Sequence, residues 1–429
     1  MKPNQNNHFR NTQSVTEHEI SSKLDNPGEL EKLYRADQPS FQRAFATIFN
    51  LHQNNPIAQA WNARLNFKHA ESVWENKKEL LLILIASLIA GIFAKLPFLT
   101  GINDELFYTR NLGFLVFPFL TAFFAWKKQI SLRQVIVSLG TILILVAYIN
   151  LLPVRNSSDS IMLSCIHLPF MLWGVLGFTF VGGDFLDLSK RTDFLRYNGD
   201  FLVMLALIVI SGGLFSAITI NLFLLIELDI VNFYTEYITV FGAAAAPMVA
   251  TYLVHNNPQL VSRISPIIAR IFTPIVSLML FMFLVAVITK GKYPTNDRNA
   301  LMIFNGLLVG VMALILFSIT EVSKASSRKA NTIILLCLSV LTIIINGIAL
   351  VSIVIRINEY GMTPNRIAVL GANILIMMHI LLVFKRLLDT ARDKSNIQEV
   401  ENGIAAFLPF YIAWATFVTL LFPLIFGFR

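Results

Sequence analysis

The stretch NTIILLCLSVLTIIINGIALVSIVIR, residues 331–356, carries no charged side chain before its last residue, Arg356. As an α-helix it would be about 39 Å long, which exceeds the roughly 30 Å thickness of a bilayer's hydrocarbon core. A backbone inside lipid must satisfy its own hydrogen bonds, and this run is too long and too uniformly apolar for the alternating strand of a β-barrel. We therefore predict a transmembrane α-helix here.

The rest of the chain has a similar character. Of its 429 residues, 55% are hydrophobic and 14% are charged, against about 45–50% and about 25% in soluble domains. Apolar runs long enough to cross a membrane occur at 79–99, 109–126, 133–152, 161–181, 201–227, 236–254, 271–289, 299–320, 331–356, 364–384 and 404–426. The sequence thus predicts an all-α fold, a polytopic transmembrane helical bundle of about 11 spans within residues 79–429.

The basic residues of the connections predict the orientation. Cytoplasmic loops of membrane proteins are enriched in Lys and Arg. Alternate connections hold fifteen of the 34 basic residues, the chain before residue 79 holds ten, and the other connections and span ends hold nine. The first group comprises 127–133, 182–199, 255–270, 321–330 and 385–403. We therefore predict a cytoplasmic N-terminus and, after eleven crossings, an outside C-terminus. The net charge of +8 is mostly this topology signal, so we expect membrane lipids and no nucleic acid as partners.

The residues before the first span divide into two parts. Residues 1–25 are polar, show little apolar periodicity and are predicted to form a disordered tail. Residues 26–78 contain three steps typical of a helix start, Asn26-Pro27, Gln38-Pro39 and Asn55-Pro56. We predict a small cytoplasmic helical unit, which either docks a cytoplasmic protein partner or forms a structural collar for the first span.

Common catalytic and metal motifs are absent from the sequence. Cys165 and Cys337 lie in separate apolar runs, so neither a disulfide framework nor a paired-thiol metal site is predicted. The chain has no Walker A loop, no His-Glu-x-x-His and no Gly-x-Ser-x-Gly. We therefore predict no metal and no cofactor, and the sequence leaves open whether the protein is an enzyme.

The short connection RINEYGMTPNR, residues 356–366, places a cation where a helix start favours an acid. Thr363 and Pro364 predict the N-cap and first residue of span ten, which makes Arg366 the third helical residue. The positive end of the helix dipole opposes an exposed cation there by about 0.3–1 kcal/mol. Arg366 therefore needs a compensating partner.

Neighbouring residues of the connection offer two solutions. With span nine ending near Tyr360, Arg356, Glu359 and Arg366 converge, and Glu359 pairs with both arginines. Alternatively, one arginine stays partly unpaired and binds an anion at headgroup level with the free amides of the span-ten N-terminus. Asn373 lies about 20° from Arg366 on the helical wheel and continues the same face inward. The candidate substrate or anion site is therefore Arg356, Glu359, Tyr360, Arg366 and Asn373.

Small residues and prolines predict how the spans pack. The pairs Gly213–Ala217 and Gly242–Ala246 have the small-x-x-x-small spacing of closely packed helices. Four spans contain an interrupting proline, which either marks the broken helices of transporters or is tolerated, as in membrane helices generally: Pro118, Pro169, Pro247 and Pro409.

The connection also resembles the signature of a known family. Arg356-Ile357, Glu359-Tyr360-Gly361-Met362-Thr363 and Arg366, with FYTRNLGFLVFP (107–118) and DFLRYNGDFL (193–202), are similar to motifs of the bacterial polytopic inner-membrane family catalogued as domain of unknown function 4153. The resemblance covers most of residues 79–426, with Met362 where leucine is expected. It implies a bacterial cytoplasmic (inner) membrane protein and brings no assigned activity or site.

Three classes of function fit these observations. The span count, the prolines and the lack of catalytic motifs favour a permease or small-molecule transporter. A membrane enzyme acting on a lipid-linked substrate is the alternative, because Asp104 and Glu105 in INDELFYTRN (102–111) resemble the acidic pair that glycosyltransferases using lipid-phosphate sugars carry as a general base. The N-terminal helices would suit a membrane scaffold or sensor.

Overall fold

The computed structural model describes residues 17–65, 70–155, 158–290, 298–322, 328–392, 394 and 396–428. Within these ranges all regular secondary structure is helical. The chain divides into two compact units, Met1–Lys78 and Glu79–Arg429. The described part of the first unit contains α1 (Glu17–Ser22), α2 (Pro27–Ala36), α3 (Gln38–Phe49) and α4 (Pro56–Leu65).

The helices that follow build the second unit, and the first of them starts before the boundary at Lys78. They are α5 (Ala70–Ala94), α6 (Leu96–Thr100), α7 (Asp104–Asn111), α8 (Phe117–Lys127), α9 (Leu132–Leu151), α10 (Asp159–Phe180), α11 (Leu188–Leu224), α12 (Val231–Phe233), α13 (Val240–Asn256), α14 (Pro258–Lys290), α15 (Arg298–Val322), α16 (Arg328–Tyr360), α17 (Pro364–Ala391) and α18 (Ile397–Ile425). A 3₁₀ turn, Leu112–Leu115, joins α7 to α8, and a π-helical turn, Tyr234–Thr239, joins α12 to α13.

Nine segments of the described chain are long and apolar enough to cross a membrane. They are Asp104–Lys127, Leu132–Leu151, Asp159–Phe180, Leu188–Leu224, Val231–Asn256, Pro266–Thr289, Asn331–Tyr360, Pro364–Ala391 and Ile397–Ile425. The prediction of a multi-pass, all-helical membrane protein is confirmed at this level. The two remaining predicted spans, 79–99 and 299–320, fall largely on α5 and α15, and the apolar stretch described in α15, Asn305–Ile319, is shorter than the nine.

The N-terminal unit begins earlier in the sequence than the predicted tail boundary. Disorder was expected through residue 25, yet α1 forms, and Ile20 and Leu24 are buried beside Phe41 and Phe45 of α3. Ile20 lies in α1 and Leu24 lies in the turn that follows it, and both apolar side chains enter the same hydrophobic core as Phe41 and Phe45. Residues 1–16 lie outside the described residues.

Side-chain caps define the helix starts of this unit. Asn26 caps α2, and Asn55 accepts a hydrogen bond from the amide of Ile57 at the start of α4. The cap of α3 is Asp37, one residue before the predicted Gln38, because a carboxylate accepts amide hydrogen bonds better than a longer amide side chain. Hydrogen bonds from the Ser40 side chain and amide hold the pKa of the Asp37 carboxyl below its usual value.

In the second unit α18 contacts α10, α11, α15 and α17. Val400, Ile404, Val418 and Phe422 of α18 are almost fully buried. Close approach to this helix depends on small residues, since a Cβ at Gly174 would lie 2.9 Å from the Ile412 Cγ2 atom, and a Cβ at Gly371 would overlap the indole of Trp414. These contacts position α10 and α17 against α18.

The predicted small-residue contacts are not where the sequence suggested. A Cβ placed on Gly213 or Gly242 would meet no atom of another helix within 4 Å in the described part of the chain. The outer part of α11 is exposed over most of its circumference, with Leu214 64% and Phe215 66% exposed. The spacing alone was misleading because it does not specify whether a neighbouring helix lies on that face.

The proline prediction holds for one span of four. Pro118 lies in the first turn of α8, directly after the 3₁₀ turn, so the helical path is broken there. Pro169, Pro247 and Pro409 lie inside the continuous helices α10, α13 and α18. Transmembrane helices tolerate an internal proline where neighbouring helices and side chains satisfy the freed backbone groups.

Candidate functional site

The connection between α16 and α17 has the predicted backbone. Gly361 has φ 75°, a left-handed conformation that ends α16, and α17 begins at Pro364. The Thr363 hydroxyl accepts a hydrogen bond from the amide of Arg366 at 3.4 Å. Arg366 is therefore the third residue of α17, as predicted, and its positive charge needs a compensating partner.

Backbone carbonyls are the partners of Arg366. Its Nη1 atom donates to the carbonyl oxygen of Tyr360 at 2.8 Å and to that of Gly361 at 2.5 Å. Its guanidinium also lies 5.6 Å from the centroid of the Tyr360 ring. These carbonyls belong to the C-terminal end of α16, the negative end of that helix dipole, which favours a nearby cation. The carbonyls at the end of α16 thus offset the unfavourable interaction of Arg366 with the dipole at the start of α17.

The predicted ion-pair triad is not formed. Among the ion pairs of the described residues, none involves Glu359, which is exposed. Arg366 is hydrogen-bonded to the two carbonyls, so it does not need Glu359 as a partner. Arg356 differs from its neighbours, because its Nη1 atom is buried and has no hydrogen-bond partner within the described chain. If this connection binds an anion, Arg356 carries the unused donor.

Asn373 lies in a separate site, deeper in the bundle. Its Nδ2 atom donates to Oδ1 of Asn305 at 2.7 Å, and its carbonyl accepts from Nδ2 of Asn346 at 3.1 Å. We call Asn305, Asn346 and Asn373 the amide cluster; it joins α15, α16 and α17. Asn346 and Asn373 are 0% and 2% exposed, and the Oδ1 atom of Asn346 has no partner in the described part of the chain.

Hydroxyl groups continue the buried polar face of α16 from the amide cluster towards the start of that helix. Thr342 and Ser339 are fully buried and donate to carbonyls one turn earlier in α16. They lie within about 60° of Asn346 on the helical wheel. On the neighbouring helices α14 and α15, the hydroxyls of Thr273 and Ser318 are 2.7 Å apart and buried. This part of the bundle therefore contains buried polar groups inside apolar helices, where such groups are costly.

The acidic pair lies at the start of α7. Asn103 caps this helix, and Asp104 and Glu105 are exposed in its first turn, where carboxylates favourably meet the positive end of the dipole. The two acids differ in their surroundings. Glu105 lines a groove of about 550 Å³ between α7 and α10, whereas Asp104 is not among its lining residues.

This groove, which we call the α10 groove, has both apolar and polar lining residues. The polar part of its lining includes Glu105, Arg110, Arg155, Ser158, Asp159 and Cys165. Cys165 lies six residues beyond Asp159, so the groove extends about 9 Å along α10. Ser158 caps α10 by accepting from the amide of Ile161 at 3.2 Å. Apart from Glu105, these residues are not predicted as site residues from the sequence, although Arg110 is a charged residue inside a predicted span, which is a signal for a functional site.

A second groove, of about 660 Å³, lies beside the α16–α17 connection. It is lined by Asp159, Met362, Thr363, Pro364, Ile425, Phe426 and Gly427. Neither Arg366 nor Glu359 lines it. Asp159 lines both grooves, so the α10 groove, the connection and the end of α18 all lie at one end of the bundle, which we call the hairpin end.

Buried ion pairs lie at the opposite end. Arg196 of α11 donates from Nη2 to both carboxylate oxygens of Glu401 in α18, at 3.0 and 2.8 Å, and Glu401 is 0% exposed. Lys127 of α8 pairs with the buried Glu79, which also accepts from Asn256 at 3.0 Å. These pairs connect helices that are far apart in the sequence, and no local sequence motif predicts them.

Comparisons with other proteins identify no relative. No family model, no curated protein and no solved structure matches the chain. Over the described residues, no cluster of three or more His, Cys, Asp or Glu side chains could hold a metal ion. Function must therefore be inferred from the site itself.

Proposed function

We propose that this protein is a permease of the bacterial inner membrane, with eleven spans, a cytoplasmic N-terminus and the hairpin end outside. The resemblance of the α16–α17 connection to the bacterial inner-membrane family supports the location. The excess of basic residues in the connections opposite the hairpin end supports the orientation.

The amide cluster is the observation that carries the proposal. Three asparagines converge from α15, α16 and α17, and the buried Oδ1 atom of Asn346 is unsatisfied in the described part of the chain. A buried acceptor without a partner costs about 1–3 kcal/mol. A purely structural contact between the helices would need only the amide groups that are already hydrogen-bonded. A polar solute or a water molecule passing the amide cluster would instead donate a hydrogen bond to the Oδ1 atom of Asn346. A hydrogen bond between membrane helices that serves only packing contributes about 0.6–2 kcal/mol to stability.

A membrane enzyme acting on a lipid-linked substrate is the second candidate. The observation in its favour is that Glu105 lines the α10 groove beside Arg110 and Arg155, so a carboxylate and two cations share one groove. Asp104, the other half of the predicted pair, is outside the groove. A single general base at Glu105 would then replace the expected acidic pair.

Cysteine accessibility tests the permease proposal. Asn346→Cys and Ser339→Cys are introduced separately into a protein whose Cys165 and Cys337 are replaced by serine. Membrane vesicles of both orientations are treated with a charged, impermeant thiol reagent. We expect both cysteines to react from at least one side, because a permease must bring water to these residues during its cycle.

Lipid-facing positions at matched depth provide the control. Val340 and Ile344 of α16 are 40% and 43% exposed on the bundle surface, and cysteines there should stay unreactive because lipid surrounds them. If the cysteines at 346 and 339 are as unreactive as these controls from both sides, the interior is dry and the permease proposal fails.

A further inference from the structure

The α10 groove contains arginines whose charges are not neutralised by carboxylates. Arg110 is 5% exposed, and its guanidinium donates to the carbonyl oxygens of Asn150, Leu152 and Pro153 at 3.1, 2.9 and 3.0 Å. Carbonyls orient the guanidinium but carry no net charge. Within the described chain Arg110 makes no ion pair, although buried charges are normally paired.

Arg155 is held in the same manner, and more weakly. Its Nη1 atom donates to the carbonyls of Gly427 and Phe428 at 3.4 and 3.5 Å, and its side chain is exposed. It too has no carboxylate partner in the described residues. Two guanidiniums therefore line one groove with their charge available to a ligand, and arginine is the residue best suited to bind phosphate through paired hydrogen bonds.

Carboxylates line the groove as well. Glu105 is exposed at its rim, and no ion pair of the described residues uses it; Asp159 also lines the wall. A simple anion would meet the arginines favourably and these acids unfavourably. A ligand that carries both signs of charge would meet both the arginines and Glu105 favourably. The volume, about 550 Å³, lies within the usual range of ligand sites, about 300–1,000 Å³.

We propose that the α10 groove binds a zwitterionic phosphate ester, with the phosphate on Arg110 and Arg155 and a neighbouring amine towards Glu105. The same chemistry occurs in a phosphoethanolamine lipid headgroup and in the free soluble group. The apolar lining residues Val154 and Met162 are 67% and 50% exposed and extend the site with a surface on which an acyl chain could lie. This assignment is independent of the permease proposal, since binding here requires no passage through the amide cluster.

Cys165 provides the reporter. It lines the groove and is 6% exposed, and replacing Cys337 by serine leaves it as the sole thiol. The rate of Cys165 modification by a small neutral thiol reagent is measured on the purified full-length protein. Soluble phosphoethanolamine, inorganic phosphate and ethanolamine are compared in detergent. Nanodiscs rich in phosphatidylethanolamine are compared with nanodiscs rich in phosphatidylglycerol.

We expect the zwitterion to slow modification several-fold, phosphate to do so less, and ethanolamine to have little effect. Protection by soluble phosphoethanolamine assigns the site to the free group as well. Protection only in phosphatidylethanolamine nanodiscs assigns it to the lipid headgroup. Arg155→Gln and Glu105→Gln should each abolish the protection, and Asp104→Asn should retain it, because Asp104 lies outside the groove.

Two results would overturn the proposal. One is equal protection by inorganic phosphate and phosphoethanolamine that persists in Glu105→Gln, which would mean that only an anion is recognised. The other is a Cys165 rate unchanged by every probe and by lipid composition while the reagent still modifies the unfolded protein fully. Neither result depends on whether cysteines at 346 and 339 are accessible, so failure here is distinguishable from failure of the permease proposal.

Discussion

At the scale of single residues, Arg366 illustrates how a locally unfavourable choice is compensated. The sequence places a cation in the first turn of α17, and the carbonyls of Tyr360 and Gly361 meet it from the end of α16. The sequence predicted the cap Thr363 and the first helical residue Pro364, because caps depend on neighbours in the chain. It did not predict the carbonyl partners, because the groups that the Arg366 side chain meets depend on how the end of α16 and the start of α17 are oriented towards each other.

Substituting Arg366 tests this account. Arg366→Gln should lower the free energy of unfolding by about 1 kcal/mol, since it removes charge-assisted hydrogen bonds to two carbonyls at a half-buried position. Glu359→Gln should have almost no effect, because Glu359 has no ion pair in the described chain. The midpoint of thermal unfolding of the purified protein measures both. If the double variant is more stable than Arg366→Gln alone, then Glu359 interacts with Arg366 in the native protein, as the sequence predicted. That result would contradict the conclusion that the carbonyls are the partners of Arg366.

At the scale of helices, packing depends on which glycines face a neighbour. The small-x-x-x-small pattern selected Gly213 and Gly242, which face open space, and did not select Gly371 or Gly174, which contact α18. Spacing identifies a face that could pack closely. Only the placement of the other helices determines whether it does.

Two alanine substitutions separate these cases. Gly371→Ala should destabilise the protein by about 1–3 kcal/mol, because the new methyl group overlaps the Trp414 ring and forces the α17–α18 contact to shift. Gly213→Ala is the matched control and should cost nothing, since alanine favours a helix and no atom lies within 4 Å. Thermal unfolding in detergent compares them. Equal stability of the two variants would show that the α17–α18 approach is looser than described.

At the scale of the whole molecule, the proposed topology places the two ends of the bundle on opposite sides of the membrane. Single cysteines at Met362, 75% exposed in the hairpin end, and at the exposed Ser189, before the body of α11, test it in a background without Cys165 and Cys337. On intact spheroplasts an impermeant thiol reagent should label position 362 only. Position 189 should become reactive after permeabilisation. Labelling of 189 alone on intact spheroplasts would reverse the assigned orientation.

The sequence by itself determined the class of the molecule and most of its helices. Long apolar runs, proline starts and polar caps act over a few residues, and membrane insertion forces the backbone of each run into a helix. Runs such as 133–152 and 364–384 therefore coincide with α9 and α17. The sequence indicated a short loop for Asp104 and Glu105, whereas the two acids form the first turn of α7. Their role was not predictable from the sequence, because it depends on which residues lie across from them.

Tertiary structure alone decided the sites. Arg110 meets carbonyls about forty residues later, and Arg196 meets Glu401 across 205 residues. Asn373 was grouped with Arg366 from its helical face, yet α15 and α16 bring it instead to Asn305 and Asn346. The partners of a polar side chain in a helical bundle depend on which helices become neighbours. The apolar surfaces of the spans are similar to one another, so the local sequence does not specify which helices pack together.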